Sequence, residues 1–221
     1  MINYNLMRKN MVACQLETNG IVLPSIKSAF EVVPREKFLP ELLRGVAYID
    51  EDIPLPGGGF IPEPLVVARM LAALRAPGAE VALCVGDSSG YVAAVLAQMV
   101  TTVVTLESKP KQLDLARRAW LESDICNIAV AKGSGRRGCP EHAPYELIML
   151  CGAVDSVPED LLRQLAPGGR LAAVIQEQGS AMGYVVLFEK DKDGRCHSGQ
   201  RLFDANASFL DDFKGESAFV F

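Results

Sequence analysis

Apolar residues fall into two regimes along the chain. Up to residue 63 they recur at helical spacing or with no period, and from residue 64 they gather into short unbroken runs between amphipathic stretches. The first regime predicts a helix through "LMRKNMVACQLETNG", capped by Asn5 and closed by Gly20. A second helix, "PSIKSAFEVVP", starts at Pro24 and stops at Pro34. Periodicity is then lost over residues 36–64. The prolines and the three successive glycines of "IPLPGGGFIPEP" predict a structured loop or hinge there.

In the second regime, "PLVVARMLAAL" reads as a helix starting at Pro64, with Gly78 past its end. Strands at 81–85 and 102–107 follow, then "NIAVAKG", "YELIMLCG" and "RLAAVI". Between them lie the helical segments "SGYVAAVLAQM", "KPKQLDLARRAWLES" and "VPEDLLRQLAPGG". Continuous apolar runs alternating with helices imply parallel strands covered on both faces. The fold class is α/β, a doubly wound and mostly parallel sheet of Rossmann-like type flanked by helices. "YVVLFEKDKDGR" turns at Asp193-Gly194, and "QRLFD" and "ESAFVF" are further short strands, so antiparallel members are expected near the C-terminus. A single domain over 1–221 is expected, with a helical and loop region at 1–63 and the α/β core at 64–221.

Composition narrows the partners. With 221 residues, 49 % of them apolar, the chain can fill a substantial core. A formal net charge of −5 argues against a broad nucleic-acid surface. The N-terminal stretch lacks a signal-peptide pattern and the apolar runs are too short to span a bilayer, so a cytoplasmic protein without membrane contact is expected, as a monomer or weak dimer. Cys14, Cys84, Cys126, Cys139, Cys151 and Cys196 form no CxxC pair and stand at irregular spacing from His142 and His197, so no metal site is expected. Trp120, Tyr91 and Cys151 read as packing residues.

Candidate chemistry lies at the strand ends, where doubly wound sheets bind ligands. The first core strand ends in "GDSSG": Gly86, Asp87, Ser88, Ser89 and Gly90. Glu107 closes the second strand, where a carboxylate can accept both ribose hydroxyls of an adenosine cofactor. "GSGRRG", with Ser134, follows the third. A left-handed Ser88 would cost about 1 kcal/mol. Ser88 or Ser89 can instead cap the next helix.

The chain resembles the protein-L-isoaspartate O-methyltransferases, within the class I S-adenosylmethionine-dependent methyltransferase fold. The resemblance rests on "MVACQLETNGI", "AFEVVPREKFLP", "AYIDEDIPL", "PLVVARML", "APYELIML" and "QLAPGGRLAAVI", in that order. It implies an S-adenosylmethionine donor, an L-isoaspartyl carboxylate acceptor and a role in protein repair. It also implies that Gly86, Asp87, Ser88, Ser89, Gly90, Glu107 and Ser134 are the donor-binding positions. The chain departs from the family pattern at several of its motif positions. Cys84 replaces the acid before the glycine loop, Ser88 its central glycine, and Ser134 the acid of Gly-Asp-Gly. In the acceptor motif, Phe60 and Pro62 stand where the family has threonine and serine, and Glu63 adds an acid.

Two readings follow. In the first, the chain is a divergent member impaired or inactive in isoaspartyl repair, a non-catalytic protein that binds a protein or a small molecule. In the alternative, it is an active S-adenosylmethionine-dependent methyltransferase acting on isoaspartyl carboxylates or on a small molecule.

Overall fold

The computed structural model describes residues 2–106, 109–177, 179–180 and 182–213. The N-terminal region opens with α1, Tyr4–Met11, and continues through a π-helical turn at Val12–Leu16 and a 3-10 turn at Glu17–Asn19. The cap is Asn3 rather than Asn5: Asn3 Oδ1 accepts from the Leu6 N–H at 3.1 Å, while Asn5 lies inside the helix. Helical dihedrals already begin at Tyr4, so the first orphaned N–H groups fall within reach of residue 3. Gly20 closes the helical run as expected, in the left-handed region at φ +83°, with the Ile21 N–H returning to Leu16 O.

Helix α2, Pro24–Val32, and two 3-10 turns at Arg35–Phe38 and Glu41–Val46 follow. The proline and glycine stretch folds into a two-residue hairpin, β1 Ile53–Pro54 against β2 Phe60–Ile61. The core then alternates: α3 Pro64–Leu74, β3 Val81–Val85, α4 Tyr91–Leu96, β4 Thr102–Leu106, α5 Pro110–Leu121, β5 Ile128–Ala131, β6 Tyr145–Val154, α6 Glu159–Arg163 and β7 Leu165–Ile175. Two antiparallel strands complete it, β8 Gly183–Glu189 and β9 Gln200–Ala205, before a 3-10 turn at Asp211–Phe213. "ESAFVF" lies outside the described residues.

One sheet runs β5-β4-β3-β6-β7-β8-β9, with parallel pairing from β5 to β7 and antiparallel pairing beyond. The doubly wound sheet with antiparallel C-terminal members is therefore present. Both faces are covered, which is why the strands read as unbroken apolar runs. Ala82 and Cys84 of β3 face one core with Leu147 and Met149 of β6, while Leu83 and Val85 face the other with Ile148 and Leu150.

Strand β7 begins earlier than "RLAAVI" predicts. Its pairing jumps from Tyr145↔Leu165 to Leu147↔Arg170, so Pro167 and the two glycines ride as a bulge rather than ending a helix. A second irregularity sits near the carboxyl end of β6, where the step from Met149 to Ala153 matches that from Ala172 to Val174 on β7.

The N-terminal region is tied to the sheet through Tyr91, which is fully buried at the start of α4. Its ring meets Phe30 and Phe38 edge-on at 6.3 and 5.6 Å, and the Arg35 guanidinium lies 4.8 Å from its centroid. Arg35 is itself fully buried and donates from Nε to Ala47 O at 2.7 Å. Arg35→Ala is expected to lower stability by roughly 3 kcal/mol, read from the urea midpoint at constant slope.

Candidate functional site

Strand order reverses at β3, since β4 and β6 lie on its two sides. A cleft opens there beyond the carboxyl ends. It is bordered by Gly86, Ser88, Leu106, Gly135, Phe60 and Leu210.

Its floor is the loop after β3, and that loop is organised by Asp87. Asp87 Oδ1 accepts from the N–H groups of Ser89 and Gly90 at 3.2 and 2.9 Å and from Ser89 Oγ at 2.9 Å. Oδ2 accepts from the Ala93 N–H at 2.8 Å, inside the first turn of α4. The buried carboxylate thus caps α4 and satisfies donors that would otherwise be orphaned. Burial raises its pKa, and the N–H groups of Ala93, Gly90 and Ser89, with the Ser89 hydroxyl, pull it back. The expectation that Ser88 or Ser89 caps the helix is met only in part: Ser89 Oγ accepts from the Tyr91 N–H at 3.1 Å, and the main cap is the acid before it.

Gly86 and Gly90 adopt φ of +80° and +75°. At Gly90 a Cβ would lie 2.5 Å from Ala116 Cβ and 2.7 Å from Trp120 Cζ2, so this glycine permits packing against α5 rather than ligand approach. Trp120 Nε1 donates to Gly90 O at 2.9 Å, consistent with its reading as a packing residue. Ser88 does not take a positive φ, so the strain considered for a serine there does not arise. Ser88 instead packs beneath Gly59 of the β1–β2 hairpin. That hairpin is held over the start of α5 by Lys109 Nζ and Gln112 Nε2, which donate to Gly57 O and Gly58 O.

Ser134 Oγ accepts from the Arg137 N–H at 3.3 Å within a tight turn. Glu107 lies outside the described residues. Phe60 is buried, and a Cβ on Gly152 would lie 2.6 Å from its ring tip. Pro62 is buried against a small neighbouring cavity shared with Asp52, Cys151 and Gly152. Cys151 Sγ sits 3.2 Å from Cys84 Sγ with both residues buried; the hydrogen bond to Cys151, and then burial, push the Cys84 thiol up, while burial pushes the Cys151 thiol up against that same contact.

Several residues that build the cleft and its surroundings were missed in the sequence. Asp52 braces two elements, Oδ1 accepting from the Glu63 N–H at 2.8 Å and Oδ2 from the Ser208 N–H at 2.7 Å. Leu210, Asp212 and Phe213 line the cleft from the C-terminal side. Glu63 also behaves differently from a fixed charge. Its carboxyl is pushed up to about 7, first by burial and then by Asp50, Asp52 and Glu51, with Arg35 opposing. Arg35 is the cation that opposes this shift, while Arg136 and Arg137 lie in the turn after β5.

The bare backbone at Gly86, Gly133 and Gly135, beside the apolar side chains of Val85 and Leu106, fits the nucleoside-bearing cofactor implied by the resemblance. Among the described residues no group of three or more His, Cys, Asp or Glu converges to hold a metal, and no helix is long and apolar enough to cross a membrane.

Comparison with known proteins gives a consistent result. Residues 7–202 match the family model described as Protein-L-isoaspartate(D-aspartate) O-methyltransferase (PCMT). A Rhodopseudomonas palustris protein named Protein-L-isoaspartate O-methyltransferase 1 is 40 % identical over 190 residues, covering 86 % of this chain and 78 % of that one. A Halorhodospira halophila protein named Protein-L-isoaspartate O-methyltransferase is 40 % identical over 201 residues, 90 % of this chain and 89 % of that one. A solved Plasmodium falciparum structure, titled a putative protein-L-isoaspartate O-methyltransferase in complex with S-adenosyl-L-homocysteine, superposes with a TM-score of 0.75 at 22 % identity. It covers 96 % of this chain and 100 % of that one, and supports the fold alone. None of these likenesses carries a sign of impairment, and they favour the active alternative over the impaired reading.

Two outcomes are expected. Asp87→Ala strands four donors and lowers stability by roughly 3 kcal/mol, read from chemical denaturation. Glu63 binds its proton more tightly folded than unfolded, so its contribution to stability falls as pH rises from 4.5 through about 7. Urea midpoints on either side of that window fall with rising pH, and Glu63→Gln flattens the trend.

Proposed function

The chain belongs to the protein-L-isoaspartate O-methyltransferase family, and from that premise we propose that it is an S-adenosylmethionine-dependent methyltransferase whose acceptor is a carboxylate of the isoaspartyl type. The observation that carries the reading is the glycine-edged cleft at the strand-order reversal. Its loop is held by hydrogen bonds to Asp87 and accommodates Ser88 without left-handed strain. Gly86, Ser88, Gly133 and Gly135 are the residues proposed to border the donor, with Val85 and Leu106 as its apolar wall. Glu107 and Ser134 are proposed contacts to its ribose and adenine ends on the resemblance alone.

When bound, S-adenosylmethionine supplies an electrophilic methyl group. This chain's residues act by holding and drying the cleft. Phe60 offers no hydrogen bond and excludes water from its side of the cleft. Asp52 fixes the hairpin to the C-terminal segment through its two oxygens. A Glu63 carboxyl with a pKa near 7 weakens the repulsion that a fixed negative charge would exert on an acidic acceptor.

A second reading, a protein impaired in isoaspartyl repair, is favoured by one observation. Phe60 and Pro62 are buried and apolar where the family has hydroxyls. One experiment separates the two. Titration calorimetry with S-adenosylmethionine is expected to saturate in the micromolar range, with radiolabelled methyl transferred to an isoaspartyl peptide. The Phe60→Thr, Pro62→Ser pair is expected to raise that transfer by at least about tenfold through restored hydrogen bonding. Binding without transfer selects the second reading, and no heat at millimolar donor overturns the first.

A further inference from the structure

Cys84 and Cys151 meet at the centre of the sheet. They stand on β3 and β6, which pair in parallel with Cys84 opposite Met149, two residues before Cys151. The even offset turns both side chains into the same core layer, where their Sγ atoms approach to 3.2 Å. Neither residue lines the cleft at the strand ends. Cys84 also stands where the family pattern has an acid, so the pair is a feature of this chain rather than of the pattern.

The two thiols are not equivalent. A small cavity bordered by Asp52, Pro62 and Met70 reaches Cys151 but not Cys84. The contact between them favours the Cys151 thiolate against the effect of burial, while it holds the proton on Cys84. Cys151 is thus the thiol that a small oxidant meets first, and Cys84 the one placed to resolve the product. Burial keeps bulky reagents from both, whereas Cys14, Cys126 and Cys196 are exposed.

We propose that Cys84 and Cys151 are a modification site, closing to a disulfide under hydrogen peroxide and reopening under a small thiol. The Cys151 sulfur attacks one peroxide oxygen and the O–O bond breaks. The departing hydroxide takes the Cys151 proton and leaves as water. The Cys84 sulfur then attacks the Cys151 sulfenic sulfur, and the S–S bond forms as the S–O bond breaks. Hydroxide leaves with the Cys84 proton as a second water. The two thiols lose two electrons, and one peroxide becomes two waters. Closure draws the sulfurs from 3.2 Å to about 2.05 Å, so the ends of β3 and β6 must draw together. Gly86 lies two residues beyond Cys84, Gly152 directly follows Cys151, and Leu210 of the cleft wall rests on both glycines. The disulfide therefore weakens binding in the cleft, a consequence that rests on its reading as an S-adenosylmethionine site.

The test uses the full-length protein with its exposed cysteines capped by N-ethylmaleimide before peroxide is added. The thiols titrated after unfolding are expected to fall from the three buried cysteines to one, Cys139. Digestion is expected to yield a peptide linking Cys84 to Cys151, and dithiothreitol to restore both thiols. The dissociation constant for S-adenosylhomocysteine is expected to rise by about tenfold on oxidation. Cys84→Ala and Cys151→Ala are each expected to bind with the same affinity before and after peroxide. If either variant fails to fold, the linked peptide from the unsubstituted protein decides the site alone. Three thiols remaining, or Cys151 carried to sulfinic acid with no linked peptide, overturns the modification site. A linked peptide with unchanged affinity overturns its effect on the cleft. Absence of binding by the reduced protein overturns the donor-site reading, and the linked peptide still decides the disulfide.

Discussion

One buried carboxylate organises the working end of the molecule. Asp87 gathers two loop N–H groups, a hydroxyl and a helix N–H within 3.2 Å. An acid in that position needs those donors, because an unpaired charge in an apolar interior is far costlier than a paired one. Satisfying it fixes the path from β3 into α4. That path presents the Gly86 backbone to the cleft and sets Tyr91 where Phe30, Phe38 and Arg35 close over it. The N-terminal helices and the cleft are therefore coupled through the six consecutive residues from Gly86 to Tyr91.

Much of the architecture was legible because the sheet is buried on both faces. Runs such as "VALCV" and "ELIML" have no polar face to confuse their assignment, and their alternation with helices implies the parallel order. The hairpin at 53–61 was not legible, because its pairing is two residues long and its prolines suppress any strand pattern. The glycine loop was correctly placed, but the roles within it were not. A short acid after a strand reads as a ligand contact. Only the folded geometry reveals that its oxygens are consumed by the backbone. The place of the C-terminal segment beside the cleft was hidden for a different reason, since Gly135 and Asp212 meet across 77 positions of sequence. The state of Glu63 depends likewise on Asp50 and Asp52 converging on it in space.

The hairpin that the resemblance matches to the acceptor motif is packed with apolar contacts. Where hydroxyls belong in the family motif, Phe60 rests on Gly152 and Pro62 packs near Cys151. The apolar contact extends to Leu210, which also reaches Gly152 and Gly86. This is a locally consistent hydrophobic cluster, not a polar site with gaps. Its members come from the hairpin, β6 and the C-terminal segment, so a change in one is felt by the others.

The irregularity near the end of β6 has a consequence for how the family can vary in length here. Because the mismatch between Met149–Ala153 and Ala172–Val174 is an even number of residues, inside and outside alternate correctly on both sides of it. Gly152 can arch out of the ladder while Met149, Cys151 and Ala153 keep to one core. An insertion or deletion of one residue at this arch would invert parity, turning Ala153 and Val154 to opposite layers and unseating the terminal rungs. A change of two residues at this corner would leave both layers in register.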